Sequence, residues 1–177
     1  MKKVLLHICC GICAIASIRR LQEEGFYVEG LFFNPNIHPE EEYLRRLAVA
    51  RQVGLITATK IIESVYEPQK WQDTFGGFSD EPEGGKRCVL CYEYRLKETF
   101  AVCRENSFDY FTSTLTISPH KDSAAIFQIG RAVGAEHFLA VDFKKKDGFK
   151  IASRLAREHN LYRQNYCGCA YSKGRAV

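Results

Sequence analysis

The apolar run Val4-Leu5-Leu6-His7-Ile8 passes directly into Cys9-Cys10-Gly11-Ile12-Cys13. Residues 4–8 read as a short buried strand, because only one His interrupts the apolar run. Beyond the cysteines, Ile15, Ile18 and Leu21 recur near one helical turn and Gly25 stops the pattern, which predicts a helix over residues 14–24. The alternation continues outward. Residues 27–33 read as a second strand ending in Asn34-Pro35-Asn36. Residues 38–53 read as a second helix, with Pro39 near its start, Glu40, Glu41 and Glu42 in its first turn and Gly54 closing it. The β-branched stretch 55–62 suits a third strand. Residues 71–87, rich in Gly, Asp, Glu and Pro, read as an excursion or lid. There follow a helix over 88–105, a strand over 109–114, a polar loop to Lys121, a helix over 123–133, a fifth strand over 137–141 and a tail helix over 148–158.

This order predicts an α/β fold: an open parallel sheet with helices on both faces. A length of 177 residues suits a single domain, 1–177, and no repeat or low-complexity stretch divides it. In such sheets ligands bind beyond the carboxyl ends of the strands. Cys9, Cys10 and Cys13, the Asn34-Pro35-Asn36 turn and the loop 116–121 all fall there.

With 46% hydrophobic and 26% charged residues, the chain can bury a core without disulfide staples. The start, Met1-Lys2-Lys3 and a short apolar run, mimics a lipoprotein signal, but the run is too short for one. No stretch approaches transmembrane length, so no membrane partner and a cytoplasmic location are expected. In that compartment clustered thiols mean metal or redox chemistry. The net charge of +4 is uneven: residues 143–177 hold nine Lys or Arg against Asp147 and Glu158. Together with Tyr162, Tyr166 and Tyr171, this basic C-terminal segment suits RNA, or else a solvated charged face. Arg163, Tyr166, Lys173 and Arg175 are the candidate RNA-binding residues.

Seven of the eight cysteines fall in three clusters: Cys9, Cys10 and Cys13; Cys88 and Cys91; Cys167 and Cys169. The Cys88-Val89-Leu90-Cys91 pair sits at a helix start beside Lys86 and Arg87, where thiolate is favoured over thiol. Adjacent cysteines seldom chelate one zinc but can ligate different irons of one cubane. Spacing therefore favours a 4Fe-4S cluster on Cys9, Cys10, Cys88 and Cys91 over zinc. Cys13 could complete a second site at an additional iron, replace one of the four, or be a buried apolar residue. Cys103, alone in a helix body, reads as a core cysteine, and His7 as a core histidine rather than a ligand. Cys167-Gly168-Cys169 closes too small a ring to staple anything; it reads as a redox-active pair or as extra ligands.

Several motifs in one order resemble the epoxyqueuosine reductase QueH family, over nearly the whole chain. They are His7-Ile8-Cys9-Cys10 with Cys13; Phe32-Phe33-Asn34-Pro35-Asn36-Ile37-His38-Pro39 with Glu42-Tyr43; and Arg87-Cys88-Val89-Leu90-Cys91-Tyr92 with Arg95-Leu96. Thr114-Leu115, Ser118-Pro119, Asp142-Phe143 and Tyr162-Arg163-Gln164-Asn165-Tyr166-Cys167-Gly168-Cys169 complete the set. Many members carry Pro and Ser beside the third cysteine, where Ile12 and Ala14 stand here. The resemblance implies a Rossmann-like fold of the adenine nucleotide alpha-hydrolase type. It implies reductive removal of the epoxide oxygen of epoxyqueuosine at the tRNA wobble position, driven by an external electron donor. It also implies Cys9, Cys10, Cys88 and Cys91 as cluster ligands, with Cys167 and Cys169 as the redox pair. Relatives of that fold bind ATP through a Ser/Gly-rich loop after the first strand. Cysteines occupy that place here, so no ATP is expected. Asp80, Glu83 and His120 are the candidate proton sources. Two alternatives stand beside this reading: an RNA-binding module with structural zinc, and an ATP-dependent tRNA sulfurtransferase on the same fold.

Overall fold

The computed structural model describes residues 1–172. Strand β1 (Lys3–His7) leads into helix α1 (Gly11–Glu23), followed by β2 (Tyr27–Phe32), α2 (Glu40–Ile56) and β3 (Ile61–Glu63). Helix α3 (Pro68–Phe75), the long α4 (Lys86–Glu105), β4 (Tyr110–Ser113), α5 (Ser123–Gly134) and α6 (Gly148–Glu158) complete the described chain. The four strands form one parallel sheet in the order β3-β2-β1-β4. β1 pairs with β2 from Lys3↔Tyr27 to His7↔Leu31, and with β4 from Val4↔Tyr110 to His7↔Ser113.

Side chains alternate across this sheet and fill two cores. Val4, Leu6, Val28 and Phe32 join residues of α1, α2 and α6 on one face. Leu5, Leu31 and Phe111 join Leu96 and Cys103 of α4 and Ile126 of α5 on the other. Helices therefore cover both faces, as the alternation predicts. No helix among the described residues is long and apolar enough to cross a membrane.

Four expectations are corrected. Gly54 does not end α2, which runs on to Ile56; a Cβ at Gly54 would meet the Ile61 side chain and the Thr59 carbonyl. The glycine is a packing gap for β3, and the third strand shrinks to three residues. The fifth strand is absent among the described residues. A single bridge, Phe111↔Phe138, starts it. The chain then leaves the sheet, because Thr116 Oγ1 donates to the Val141 carbonyl at 2.9 Å and accepts from Phe143 N at 3.3 Å. The first part of the 71–87 excursion is helical, in α3, and Trp71 and Phe75 are buried. Their i,i+4 spacing behind Pro68 makes one apolar stripe, and that stripe places the segment in the core.

Candidate active site

The chain reverses its direction of sheet growth between β1 and β4, which makes the gap beyond their carboxyl ends a natural ligand crevice. Residues 8–10 cross that gap. Asn34 Nδ2 holds the Ile8 carbonyl at 2.8 Å, and Arg95 of α4 donates to Asn34 Oδ1. The Cys9 amide donates to Thr114 Oγ1 at 3.0 Å, and that hydroxyl donates to Cys9 Sγ at 3.2 Å. α1 then starts at Gly11, where a Cβ would collide with Val49 of α2. This glycine serves helix packing. Below the crevice His7 is fully buried, with ring nitrogens 2.9 Å from Ser113 Oγ and 3.1 Å from the Phe33 carbonyl. Burial and Arg95 hold it neutral, its pKa lowered to about 3.

The Sγ atoms of Cys9, Cys10 and Cys13 lie within 4.8 Å of one another. Cys10 Sγ is 2.7 Å from Cys13 Sγ and 4.0 Å from Cys9 Sγ. Hydrogen bonds from Cys10 and Cys13 hold the Cys9 thiol well below its ordinary pKa, while the same bonds and burial push Cys13 well above it. The thiolate is thus favoured at Cys9 over Cys13, and these three soft donors can hold a metal ion.

Cys88 and Cys91 lie outside this trio, on the first turns of α4. The expectation of a favoured thiolate at Cys88 is not met: burial raises both pKa values. The Arg87 guanidinium still lowers the Cys88 value, but burial outweighs it, because Arg87 is turned to the carbonyls of Phe78, Ser79 and Glu81 at 2.8–2.9 Å. Cys91 shares a small core with Trp71, Phe75 and Cys169. Beside it Trp71 Nε1 is buried and faces the Cys91 sulfur, whose pKa it lowers, and Arg87 Nε is buried with no hydrogen-bond partner. N–H donors buried next to thiols fit an anionic, sulfur-rich group, so the residues present suit an iron–sulfur cofactor.

All eight cysteines are free thiols. The two of the CxC part ways: Cys169 is buried beside Cys91, while Cys167 lines a cavity of about 100 Å³ together with Cys9 and Cys13. A clamp sets this arrangement. Arg46 of α2 is buried against Glu42 at 2.6 Å and donates to the carbonyls of Cys167 at 2.9 Å and Tyr166 at 3.1 Å. Tyr162 donates to the same Glu42 at 2.8 Å, Tyr166 to the His38 carbonyl at 2.6 Å, and His38 N to the Gly168 carbonyl at 2.7 Å. Gly168 itself has φ +104°, a conformation glycine permits, and a Cβ there would press on Arg46.

Arg163 and Tyr166, candidate RNA contacts, and His120, a candidate proton source, line the same cavity. The Tyr166 ring is already covered on one side by Arg46, 5.3 Å from its centroid. Arg163 lies 5.7 Å over the Phe149 ring. Asp80 is exposed, and Glu83 sits near Cys88; neither lines the cavity. Lys173 and Arg175 lie outside the described residues. Cys103 is fully buried in the core, as expected. Arg46, Arg95 and Lys121 also stand on the cavity wall; the sequence offered Lys121 only as part of a loop, Arg95 only as part of a motif and Arg46 not at all. Burial lowers the Lys121 pKa, but the sulfurs of Cys167 and Cys9 outweigh it and raise the value overall. Its place in the loop after β4 was the available signal. Nothing local marked Arg46, which reads as an ordinary i,i+4 partner of Glu42.

A family model described as "Epoxyqueuosine reductase QueH" matches residues 4–175. The chain is 38% identical over 178 residues to a Streptococcus pyogenes protein of that name, covering 96% of this chain and 69% of the relative. A Staphylococcus epidermidis protein so named is 36% identical, with coverages of 96% and 76%. One from Thermotoga maritima is 32% identical, with coverages of 97% and 91%. These names lend no support to the zinc-module or sulfurtransferase alternatives.

Proposed function

The chain belongs to the epoxyqueuosine reductase QueH family, and from that premise we propose that it reduces epoxyqueuosine at the wobble position of tRNA to queuosine. The observation that carries the site assignment is one cavity lined by Cys9, Cys13, Cys167 and Lys121. Reduction consumes two electrons and two protons and releases the epoxide oxygen as water, leaving an alkene. A 4Fe-4S cluster on Cys9, Cys10, Cys88 and Cys91, with an additional iron at Cys13, would supply one-electron transfer and a Lewis acid.

The chain's own residues do the rest. Arg163 and Phe149 form a cationic, aromatic rim suited to a splayed loop base. Arg46 keeps Cys167 at the cavity wall. Lys121 Nζ offers a proton and a positive charge to the departing oxygen, with His120 beside it as a second source. Cys167 and Cys169 give up two electrons by closing a disulfide, and an external low-potential donor in the cytoplasm reopens it.

Anaerobic purification with iron and sulfide quantitation, followed by assay on epoxide-bearing tRNA under a low-potential reductant, tests this reading. Bound iron, sulfide and formation of the alkene nucleoside are expected. Cys88→Ala and Cys91→Ala variants that kept full epoxide reduction with no iron bound would overturn it.

A further inference from the structure

Helix α4 sets Cys88, Cys91 and Arg95 at i, i+3 and i+7, on one face. Arg95 is buried, only 2% exposed. Two distant segments fix its guanidinium: Nε donates to His7 Nε2 at 3.3 Å and Nη2 donates to Asn34 Oδ1. Both partners are neutral, since His7 is held unprotonated and Asn34 is an amide. Arg95 joins no ion pair among the described residues. A guanidinium stays charged at every working pH, and burying one without an anionic partner is costly. Arg46, buried on the same cavity wall, has the Glu42 carboxylate at 2.6 Å. For Arg95 no such group is at hand, and no carboxylate among the described residues lines the cavity.

The neighbours of Arg95 that can carry negative charge are sulfurs. It lines one cavity with Cys9, Cys13 and Cys167, and follows Cys91 by one helical turn. Its charge favours the anion at Cys9 and at Cys91, one sulfur from each of two thiol groups. The same side chain ties those groups together. Asn34, which it grips, holds the Ile8 carbonyl at 2.8 Å, one residue before Cys9. One arginine from the CxxC helix thus steadies the strand end that bears Cys9 and Cys10.

We propose that Arg95 is a positioning residue whose fixed charge balances the iron–sulfur group on Cys9, Cys10, Cys88 and Cys91 and raises its reduction potential. The inference rests on the ligand assignment proposed above and deepens it. Gaining an electron makes such a group more negative by one charge, and the external low-potential donor is oxidised by one. A buried cation that cannot lose its proton favours the reduced form over the oxidised.

The test is a potentiometric titration of anaerobically purified, iron-loaded protein, followed by electron paramagnetic resonance. Arg95→Gln and Arg95→Met remove the charge, Arg95→Lys keeps it, and Arg104→Gln removes an exposed charge from the same helix. At a fixed poise the ratio of reduced to oxidised group is expected to fall about tenfold or more in the neutral variants, a drop of about 59 mV for a one-electron couple. Arg95→Lys should recover most of that loss, and Arg104→Gln should stay within about twofold of the parent. A neutral variant that retains iron and sulfide at the parent potential would overturn the proposal and leave the reductase reading intact. The same potential with a raised KM for epoxide-bearing tRNA would also overturn it and assign Arg95 to the substrate. If neither neutral variant loads iron, Arg95→Lys decides: loading near the parent potential supports the counter-charge, and failure to load overturns it in favour of a purely structural clamp. A parent that holds the group, shows the Arg95-dependent potential and leaves the epoxide intact would sink the reductase reading while this inference stands. A parent without bound iron and sulfide would overturn the ligand assignment and this inference together.

Discussion

Glu42 and Arg46 are each less than a tenth exposed, and their 2.6 Å pair is the hinge on which the position of Cys167 turns. Arg46→Leu strands a buried carboxylate and frees two carbonyls of the CxC segment. The expected cost is about 3–5 kcal/mol, read as a lowered urea midpoint. Adding Glu42→Gln should recover part of it. In both variants Cys167 should alkylate faster than in the parent, whereas Cys103 should not. Lys121 makes a second prediction. Lys121→Met is expected to slow epoxide reduction by about 10²- to 10⁴-fold, the usual worth of a placed proton donor, with tRNA affinity held within a few-fold. Lys121→Arg keeps the charge but releases its proton far less readily. Full rescue by arginine would show that charge alone is needed. The cysteines were legible at this scale because thiols in clusters are rare and chemically marked. Arg46 and Lys121 were not, because a cation's role depends on what faces it, and both partners come from distant segments.

At the scale of elements, two glycines carry the packing of α2. Gly11 admits Val49 where α1 begins, and Gly54 admits Ile61 of β3. Glycine to alanine within a helix ordinarily stabilises by up to about 1 kcal/mol. Here the added Cβ meets side chains it cannot displace, and overpacking costs about 1–3 kcal/mol, so the sign reverses. Gly11→Ala is expected to lower the urea midpoint, and Gly11→Ala with Val49→Ala to restore part of the loss. A Gly11→Ala variant as stable as the parent would show that α1 has room to shift. The same logic explains the misplaced helix end. Gly54 reads as a stop signal from sequence, yet exposed Leu55 follows it inside the helix. Helix α3 shows the opposite failure, since its Gly- and Asp-rich neighbours masked an apolar Trp71–Phe75 stripe that only a partner surface reveals.

For the whole molecule, burial and, under the proposed iron–sulfur reading, ligation set the order in which thiols become reactive. Cys9, Cys13, Cys88 and Cys167 are partly exposed, while Cys10, Cys91, Cys103 and Cys169 are buried. Iron-loaded protein is expected to resist alkylation at the proposed ligands. Removing iron with a chelator should unmask Cys9, Cys13 and Cys88 first, and Cys103 should react only on global unfolding, as mass-spectrometric mapping will show. Chelation that leaves the reactivity of Cys9 and Cys88 unchanged would count against their holding iron. The sequence by itself determined the alternation of strand and helix, the parallel sheet, and the presence of three thiol groups beyond its carboxyl edge. Those are local patterns, set by hydrophobic period and residue type. Only the tertiary structure decided that Cys13 joins Cys9 and Cys10, that Cys167 and Cys169 face different surroundings, and that Lys121 enters the cavity. The last two depend on segments far apart in the chain meeting around the gap where β1 and β4 diverge, and no periodicity within either segment encodes that meeting; the first depends on the turn between β1 and α1, which Asn34 and Thr114 hold.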